Sequence, residues 1–183
     1  MNPVSRADLV EYQTYEDIRG AFREQVMAAK AARRVHVGRS LTVLFENALT
    51  IRYQIQEMMR TERIARERDI QHELHTYNAV LGGAGELGCT LLVEIDDPAE
   101  RALRLREWFA LPAHVYARGE DGTKVFARFD EAQRGDGRPS SVQYLKFSVQ
   151  GRVPVAIGVD LPGLAAETAL TAEQRAALAE DLA

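Results

Sequence analysis

Residues 34–78 decide the fold class, and they read RVHVGRSLTVLFENALTIRYQIQEMMRTERIARERDIQHELHTYN. The β-branched residues on either side of Gly38 predict a two-stranded hairpin with a short loop. Residues 50–78 then carry the densest helical signal in the chain, because their apolar side chains recur at three- and four-residue steps. Residues 66–69 contain no apolar side chain, so we expect the helix to break there.

The flanking sequence adds elements of both kinds. Apolar residues at helical spacing predict a helix over residues 12–32, and Pro98 is placed to open another. Alternating or β-branched segments predict strands, at residues 34–37, 41–45, 87–95, 115–117, 125–129 and 142–149, with 153–159 as a further candidate. The polar, Gly-rich residues 130–141 predict an exposed loop. Because strands occur in hairpins and helices in a separate block, we predict an α+β fold, a mostly antiparallel sheet of about five to six strands packed against helices.

The length of 183 residues suits one domain. We expect residues 1–160 to form a single α+β domain and residues 161–183 to form an Ala-rich helical extension. Thr171 and Gln174 have the spacing of a capping box, which predicts the start of a terminal helix.

Composition excludes several classes of protein. With 46% hydrophobic residues and a net charge of −4, the chain is not expected to be disordered. Cys89 is the only cysteine, so no intramolecular disulfide forms, which suits a reducing cytoplasm. The sequence has no apolar run long enough for a membrane span and no secretion signal, so we expect a cytoplasmic protein without a membrane partner. The acidic balance, and basic clusters without stacking aromatic residues, argue against nucleic acid as a partner.

Glu62 is the first candidate functional residue. On a helical projection it falls within the apolar stripe of Ile51, Ile55 and Met58. A carboxylate on a buried face must be paired, hydrogen-bonded, neutral or bound to a metal. Alternatively, the stripe has reached the edge of the core, or Glu62 pairs with a nearby arginine.

A second face of the same helix carries Gln54, Glu57 and Thr61, with Arg60 beside them. Such a face is either a solvated surface with side-chain pairs or one wall of a polar cleft. Glu46 and Asn47 lie where the second strand passes into the helix, a position that often contributes to sites, although Asn47 is also a suitable helix cap.

Metal and nucleophile patterns are incomplete. His72 and His75 share a helix face, but their spacing is one residue short of the zinc-protease pattern, so they are surface residues or ligands of one ion. Cys89 lies in an apolar strand, where a thiol behaves as a small hydrophobic group. No complete catalytic constellation is present, and we assign no catalytic residue.

An ordered series of short segments resembles a bacterial family catalogued as domain of unknown function 3501. The segments are RRVHVG (33–38), LFEN (44–47) with Thr50, QIQEM (54–58), RTERI (60–64), Glu73 with Tyr77-Asn78, and TLLVEI (90–95). The resemblance covers residues 6–149, and the residues beyond Gly151 look like an extension that the family pattern does not require. Family members tend to carry a histidine in the strand where this chain has Gln143, which weakens a ligand or general-base role for that strand.

The resemblance implies a single-domain cytoplasmic protein, often encoded beside rubrerythrin-type proteins and iron–sulfur oxidoreductases. It points to the same polar residues as the helix pattern, and we predict that they form a polar network or binding site: Glu46, Asn47, Gln54, Glu57, Arg60, Glu62, Glu73, Tyr77 and Glu94. The first hypothesis is therefore an accessory protein of a redox or oxidative-stress system. It would have no cofactor, form a homo-oligomer and interact with a redox protein of one of these types.

Two alternatives remain open. In one, the protein is a metal-binding protein or an enzyme that holds iron or manganese through a carboxylate-rich ligand set, since hard oxygen ligands with one imidazole suit these metals. The ligands would be Glu57, Glu62, His72 and Glu73. In the other, it is a small-molecule binding module in which Arg60 binds a carboxylate.

Overall fold

The protein folds from six α-helices and eight β-strands over residues 2–134 and 139–183, which are the residues that this computed structural model describes. The helices are α1 (Tyr12–Ala31), α2 (Ala48–Glu62), α3 (Glu67–Asn78), α4 (Pro98–Glu107), α5 (Leu111–His114) and α6 (Ala172–Leu182). The strands are β1 (Arg34–Val37), β2 (Leu41–Phe45), β3 (Leu87–Val93), β4 (Val115–Arg118), β5 (Lys124–Phe126), β6 (Val142–Phe147), β7 (Ala156–Val159) and β8 (Ala166–Ala169). In the predicted loop 130–141, Glu131–Arg134 form a 3-10 helix, and residues 135–138 lie outside the described residues.

The strands form two antiparallel sheets of four strands each, which confirms the α+β class. Sheet A has the order β1-β2-β3-β6, and sheet B has the order β5-β4-β7-β8. A single sheet of about five to six strands was expected, and this is wrong because the strands divide between two sheets. Of the eight strands, only β8 was not predicted at all. Its sequence, Ala-Glu-Thr-Ala, has little intrinsic preference for strand, and it forms one by pairing with β7.

The inner faces of the two sheets share one hydrophobic core. Val43, Leu91 and Phe147 of sheet A and Ala117 and Ile157 of sheet B are all nearly inaccessible to solvent and belong to it. Leu105 of α4 and Leu178 of α6 join the same cluster. Burial of these side chains is the main source of stability for the sheet layers.

The opposite face of sheet A is of mixed polarity and is partly covered by helices. Strand register places Arg34, Leu44, Thr90 and Tyr144 side by side in a row across the four strands. Helices α2 and α3 pack on each other through a second hydrophobic cluster, which includes Ile55 and Ile70.

The break between α2 and α3 comes at Arg63, one turn earlier than the predicted 66–69. Arg63 adopts a left-handed backbone conformation with φ of 53°, which ends α2, and α3 begins at Glu67. At the other end of α2, the side chain of Asn47 accepts a hydrogen bond from the backbone N–H of Thr50, as expected of a cap.

A close approach fixes how the chain leaves α3. A Cβ atom on Gly88 of β3 would collide with the backbone carbonyl oxygen of Val80, so only glycine allows the segment after α3 to lie against the sheet. This close approach places Val80 directly against sheet A. Within the described residues, no helix is both long and apolar enough to cross a membrane.

Candidate binding cavity

A cavity of about 320 Å³ lies between the mixed face of sheet A and the helical layer. Its charged lining residues are Lys30, Arg34 and Glu46. Its other polar residues are Gln54, Tyr77, Thr90 and Tyr144. Its apolar residues are Leu44, Ile51, Val80, Leu92 and Val142. The mixture of apolar surface and a few converging polar groups is typical of small-molecule sites.

Glu46 is the most deeply buried charged residue of this lining. It follows β2 directly, its backbone N–H donates to the carbonyl oxygen of Gly88 at 2.9 Å, and only 8% of the residue is exposed. Its Oε1 accepts a hydrogen bond from Thr90 Oγ1 at 2.7 Å. Over residues 2–134 and 139–183, the Glu46 side chain has no other hydrogen bond and no basic group within ion-pair distance. A buried carboxylate normally has several partners, so this one retains capacity to bind another group.

Two weakly paired cations face the same cavity. Lys30 lies in the last turn of α1, where burial lowers the pKa of its ammonium group and the nearby Glu46 carboxylate partly opposes that shift. Its Nζ atom lies 5.2 Å from the centroid of the Tyr53 ring. The guanidinium of Arg34 is 4.0 Å from Glu94 Oε1, the outer limit of an ion pair.

Two phenol groups, those of Tyr77 and Tyr144, also line the cavity. Burial raises the pKa of both Tyr77 and Tyr144, and the Gln54 side chain is within hydrogen-bonding reach of Tyr77. Tyr144 and Val142 lie on β6, 36% and 40% exposed, so they form the mouth of the cavity. Both phenols stay protonated at neutral pH and present O–H groups beside apolar ring surface.

Glu94 lies on the same face of sheet A, outside the cavity lining. Its Oε2 accepts a hydrogen bond of 2.5 Å from Thr42 Oγ1, and His36 Nδ1 lies 2.9 Å from that hydroxyl oxygen. Because the single hydroxyl hydrogen of Thr42 is donated to Glu94, the His36 nitrogen must act as the donor.

Glu57 and Arg60 are directed away from the cavity, into the interface between α1 and α2. Arg19 donates two hydrogen bonds to the Glu57 carboxylate, at 2.7 and 3.0 Å, and the Tyr15 hydroxyl donates a third at 2.8 Å. Hydrogen bonding from Arg19 is the main reason that the pKa of Glu57 is lowered. Arg60 lies 3.4 Å from Glu16. These two predicted site residues therefore hold helices together.

Asn47 also has a structural position. Besides capping α2, its Nδ2 donates to Asp181 Oδ1 at 3.3 Å. This contact links the start of α2 to the last turn of α6.

Glu62, His72 and Glu73 line a separate surface cleft at the junction of α2 and α3. Burial, followed by the neighbouring Glu62, raises the pKa of Glu73. Glu57, the fourth predicted metal ligand, is held by Arg19 and does not line this cleft. Over the described part of the chain, no group of three or more His, Cys, Asp or Glu side chains is arranged to hold a metal ion.

The structure thus brings together Glu46, Gln54 and Tyr77 of the predicted network and adds four residues that sequence reasoning missed. These are Lys30, Arg34, Thr90 and Tyr144. A sequence signal for two of them exists: Thr90 and Tyr144 alternate with buried apolar residues, which puts them on the outer face of their strands. Gln143, at the position where histidine was expected, is only 2% exposed and lies on the other face of sheet A.

This geometry defines the class: an α+β protein with a ligand-sized cavity between an antiparallel sheet and its helical layer. The family model "Protein of unknown function (DUF3501)" matches residues 3–182, and the chain belongs to this family. The match includes the residues beyond Gly151, which we had expected to lie outside the family pattern.

Among the solved structures that are similar to this chain is the crystal structure of a novel protein of unknown function from Burkholderia pseudomallei K96243, with 30% sequence identity and a TM-score of 0.91. The similarity covers 100% of both chains. No curated protein matches the chain.

Proposed function

We propose that the protein binds a small organic molecule in the cavity between sheet A and helices α1–α3. The observation that carries this proposal is the Glu46 carboxylate, nine-tenths buried at the cavity wall with Thr90 as its one hydrogen-bond donor in the described part of the chain. The other acceptor positions of this carboxylate are open to a ligand that donates a hydrogen bond from within the cavity.

The size and lining of the cavity support the same function. Its volume of about 320 Å³ is at the lower end of the range for ligand pockets, roughly 300–1,000 Å³, which suits a molecule of amino-acid or sugar size. Ile51, Val80 and Leu92 provide apolar contact, while polar groups on the sheet provide orientation.

The accessory role beside a redox protein, rubrerythrin-type or iron–sulfur, stays a prediction, as do the cytoplasmic location and the homo-oligomer. Cys89 is 0% exposed, so docking to such a partner would not involve thiol exchange. Affinity capture from the native host, with mass spectrometry of the captured proteins, tests this role. Capture of no redox protein would contradict it.

The iron or manganese site also stays a prediction. The separation of Glu57 from Glu62, His72 and Glu73 gives it little support, because a metal site needs all of its ligands around one point. Elemental analysis of protein produced with both metals supplied decides it: a metal content near one per chain would establish such a site.

The binding proposal is tested by thermal-shift screening of a metabolite library against three proteins: wild type, Val142→Trp and Leu103→Trp. Val142 lies at the cavity mouth, where the larger ring would block entry, whereas Leu103 is an exposed apolar residue of α4 that does not line the cavity. We expect at least one compound that raises the Tm of the wild type and of Leu103→Trp but leaves Val142→Trp unchanged. Equal shifts in all three proteins, or none in any, would overturn the proposal.

A further inference from the structure

We propose that the ligand is a small zwitterion with an apolar side chain, which carries one carboxylate and one protonated amine. This inference rests on the proposed function and names the class of ligand. It follows from the signs of the charged groups in the cavity and from how poorly those groups are paired.

Both signs of charge are present and unsatisfied. Glu46 has no basic group within ion-pair distance in the described structure. Lys30, although it faces the same cavity, contacts an aromatic ring instead of a carboxylate. A ligand amine would donate to Glu46, and a ligand carboxylate would accept from Lys30 and Arg34.

Ligands with only one charge fit less well. A simple carboxylate would pair with the two cations but would place a second negative charge near the under-bonded Glu46. A simple amine would pair with Glu46 but would add to the positive charge of Lys30 and Arg34. Like charges in a partly desolvated cavity repel strongly, so the zwitterion is favoured over both.

The strand register sets a distance between Arg34 and Glu46 that suits one small ligand. Arg34 of β1 pairs with Leu44, and Glu46 lies two residues beyond Leu44, directly after the end of β2. With the usual strand spacing and rise per residue, the Arg34 and Glu46 side chains start about 8 Å apart. One small molecule spans this distance when the Arg34 guanidinium turns from Glu94 toward the cavity. The apolar wall and the rings of Tyr77 and Tyr144 then face the ligand side chain.

Two matched probe series test this class by isothermal titration calorimetry. The first is L-phenylalanine, 3-phenylpropanoate and 2-phenylethylamine, and the second is L-leucine, 4-methylpentanoate and 3-methylbutylamine. Within a series the apolar body is constant and only one charged group is removed. We expect the amino acid of at least one series to bind about tenfold or more tightly than its two analogues, as the loss of a charged hydrogen bond implies.

Two variants assign the contacts. Glu46→Gln keeps an acceptor for Thr90 and should weaken the binding of the amino acid about tenfold. The same change removes the charge that repels the carboxylate analogue, so that analogue should bind more tightly. Lys30→Met should weaken the amino acid and the carboxylate analogue but not the amine. If either variant fails to fold, the comparison of ligands on the wild type alone still decides the question.

The outcomes separate this inference from the function on which it rests. An analogue that binds as tightly as its amino acid overturns the zwitterion class. So does a screen in which the compounds blocked by Val142→Trp lack one of the two charges, although the binding function then stands. If no compound is blocked by Val142→Trp, both the function and the class are overturned.

Discussion

Arg33 and Asp181 form a buried, two-pronged ion pair that joins the start of sheet A to the last turn of α6. Arg33 Nε and a terminal guanidinium nitrogen donate to the two carboxylate oxygens of Asp181 at 2.8 and 2.9 Å, and the residues are 6% and 8% exposed. The two residues are 148 positions apart in sequence. With Asn47 bound to the same carboxylate, the pair holds β1, α2 and α6 together.

Breaking this pair on one side should be costly. Asp181→Asn or Arg33→Met leaves the other charge buried without its partner, and we expect the free energy of unfolding to fall by about 3–5 kcal/mol. Urea unfolding measures this. The matched control is Arg104→Met in the exposed pair with Glu107, which should cost less than about 1 kcal/mol. The combined Arg33→Met and Asp181→Leu variant should recover stability, because no unpaired charge is then buried. Equal losses of stability for the Arg33–Asp181 and Arg104–Glu107 pairs would contradict a buried Arg33–Asp181 pair.

Glu57→Gln should lower stability at neutral pH but not in acid. The folded protein holds the pKa of Glu57 below its ordinary value, so its contribution is present above about pH 4.3 and is lost as the pH falls through the lowered pKa. Because the pair with Arg19 is partly exposed, we expect a loss of about 1 kcal/mol at pH 7. Urea unfolding of wild type and variant over the pH range checks this. A difference that persists once Glu57 is protonated in the folded protein as well would show that shape, not charge, is responsible.

Gly158→Ala should destabilise sheet B through one contact. A Cβ atom there would lie 2.5 Å from the Tyr116 ring, which is held in place by Phe126, Lys124 and Glu167. We expect a loss of about 1–3 kcal/mol by urea unfolding. In a Tyr116→Ala background the same change should be almost neutral. Gly20→Ala is the control: nothing lies within 4 Å of the added methyl group in α1, so it should stabilise by about 1 kcal/mol.

Cys89 should be inert in the folded protein. Complete burial raises the pKa of its thiol, so neither access nor thiolate is available to a reagent. We expect no reaction with a disulfide reagent in native buffer and full reaction of one thiol per chain in urea. The control is Ala28→Cys, whose new thiol on the exposed side of α1 should react at once. Rapid reaction of the native wild type would contradict the buried position.

Several helices and strands could be predicted from the sequence, because residues close together in the chain specify them. The hairpin β1–β2, the helix α1 and the start of α6 were predicted close to their observed bounds. In each case the signal is local: β-branched residues around Gly38, a periodic apolar stripe, or the cap of Thr171, which accepts from the backbone N–H of Gln174. Hydrogen bonds between residues three or four positions apart need no knowledge of the rest of the chain.

The candidate site could be predicted from the sequence only in part. Glu46, Gln54 and Tyr77 were named from their pattern and do line the cavity, but Glu57 has the same appearance in sequence and pairs with Arg19. The choice between these roles depends on how α1 packs against α2, which no local pattern records.

The sequence by itself determined the secondary structure of most segments, the α+β class and the single buried cysteine. Only the tertiary structure decided that the strands divide into two sheets, that β8 forms, and that Lys30, Arg34 and Thr90 face Glu46 across one cavity. The physical reason is the separation in sequence over which each kind of interaction acts. Propensity and capping act within one turn or one hairpin, whereas sheet order and cavity lining depend on contacts between segments far apart in the chain, such as Arg33 with Asp181.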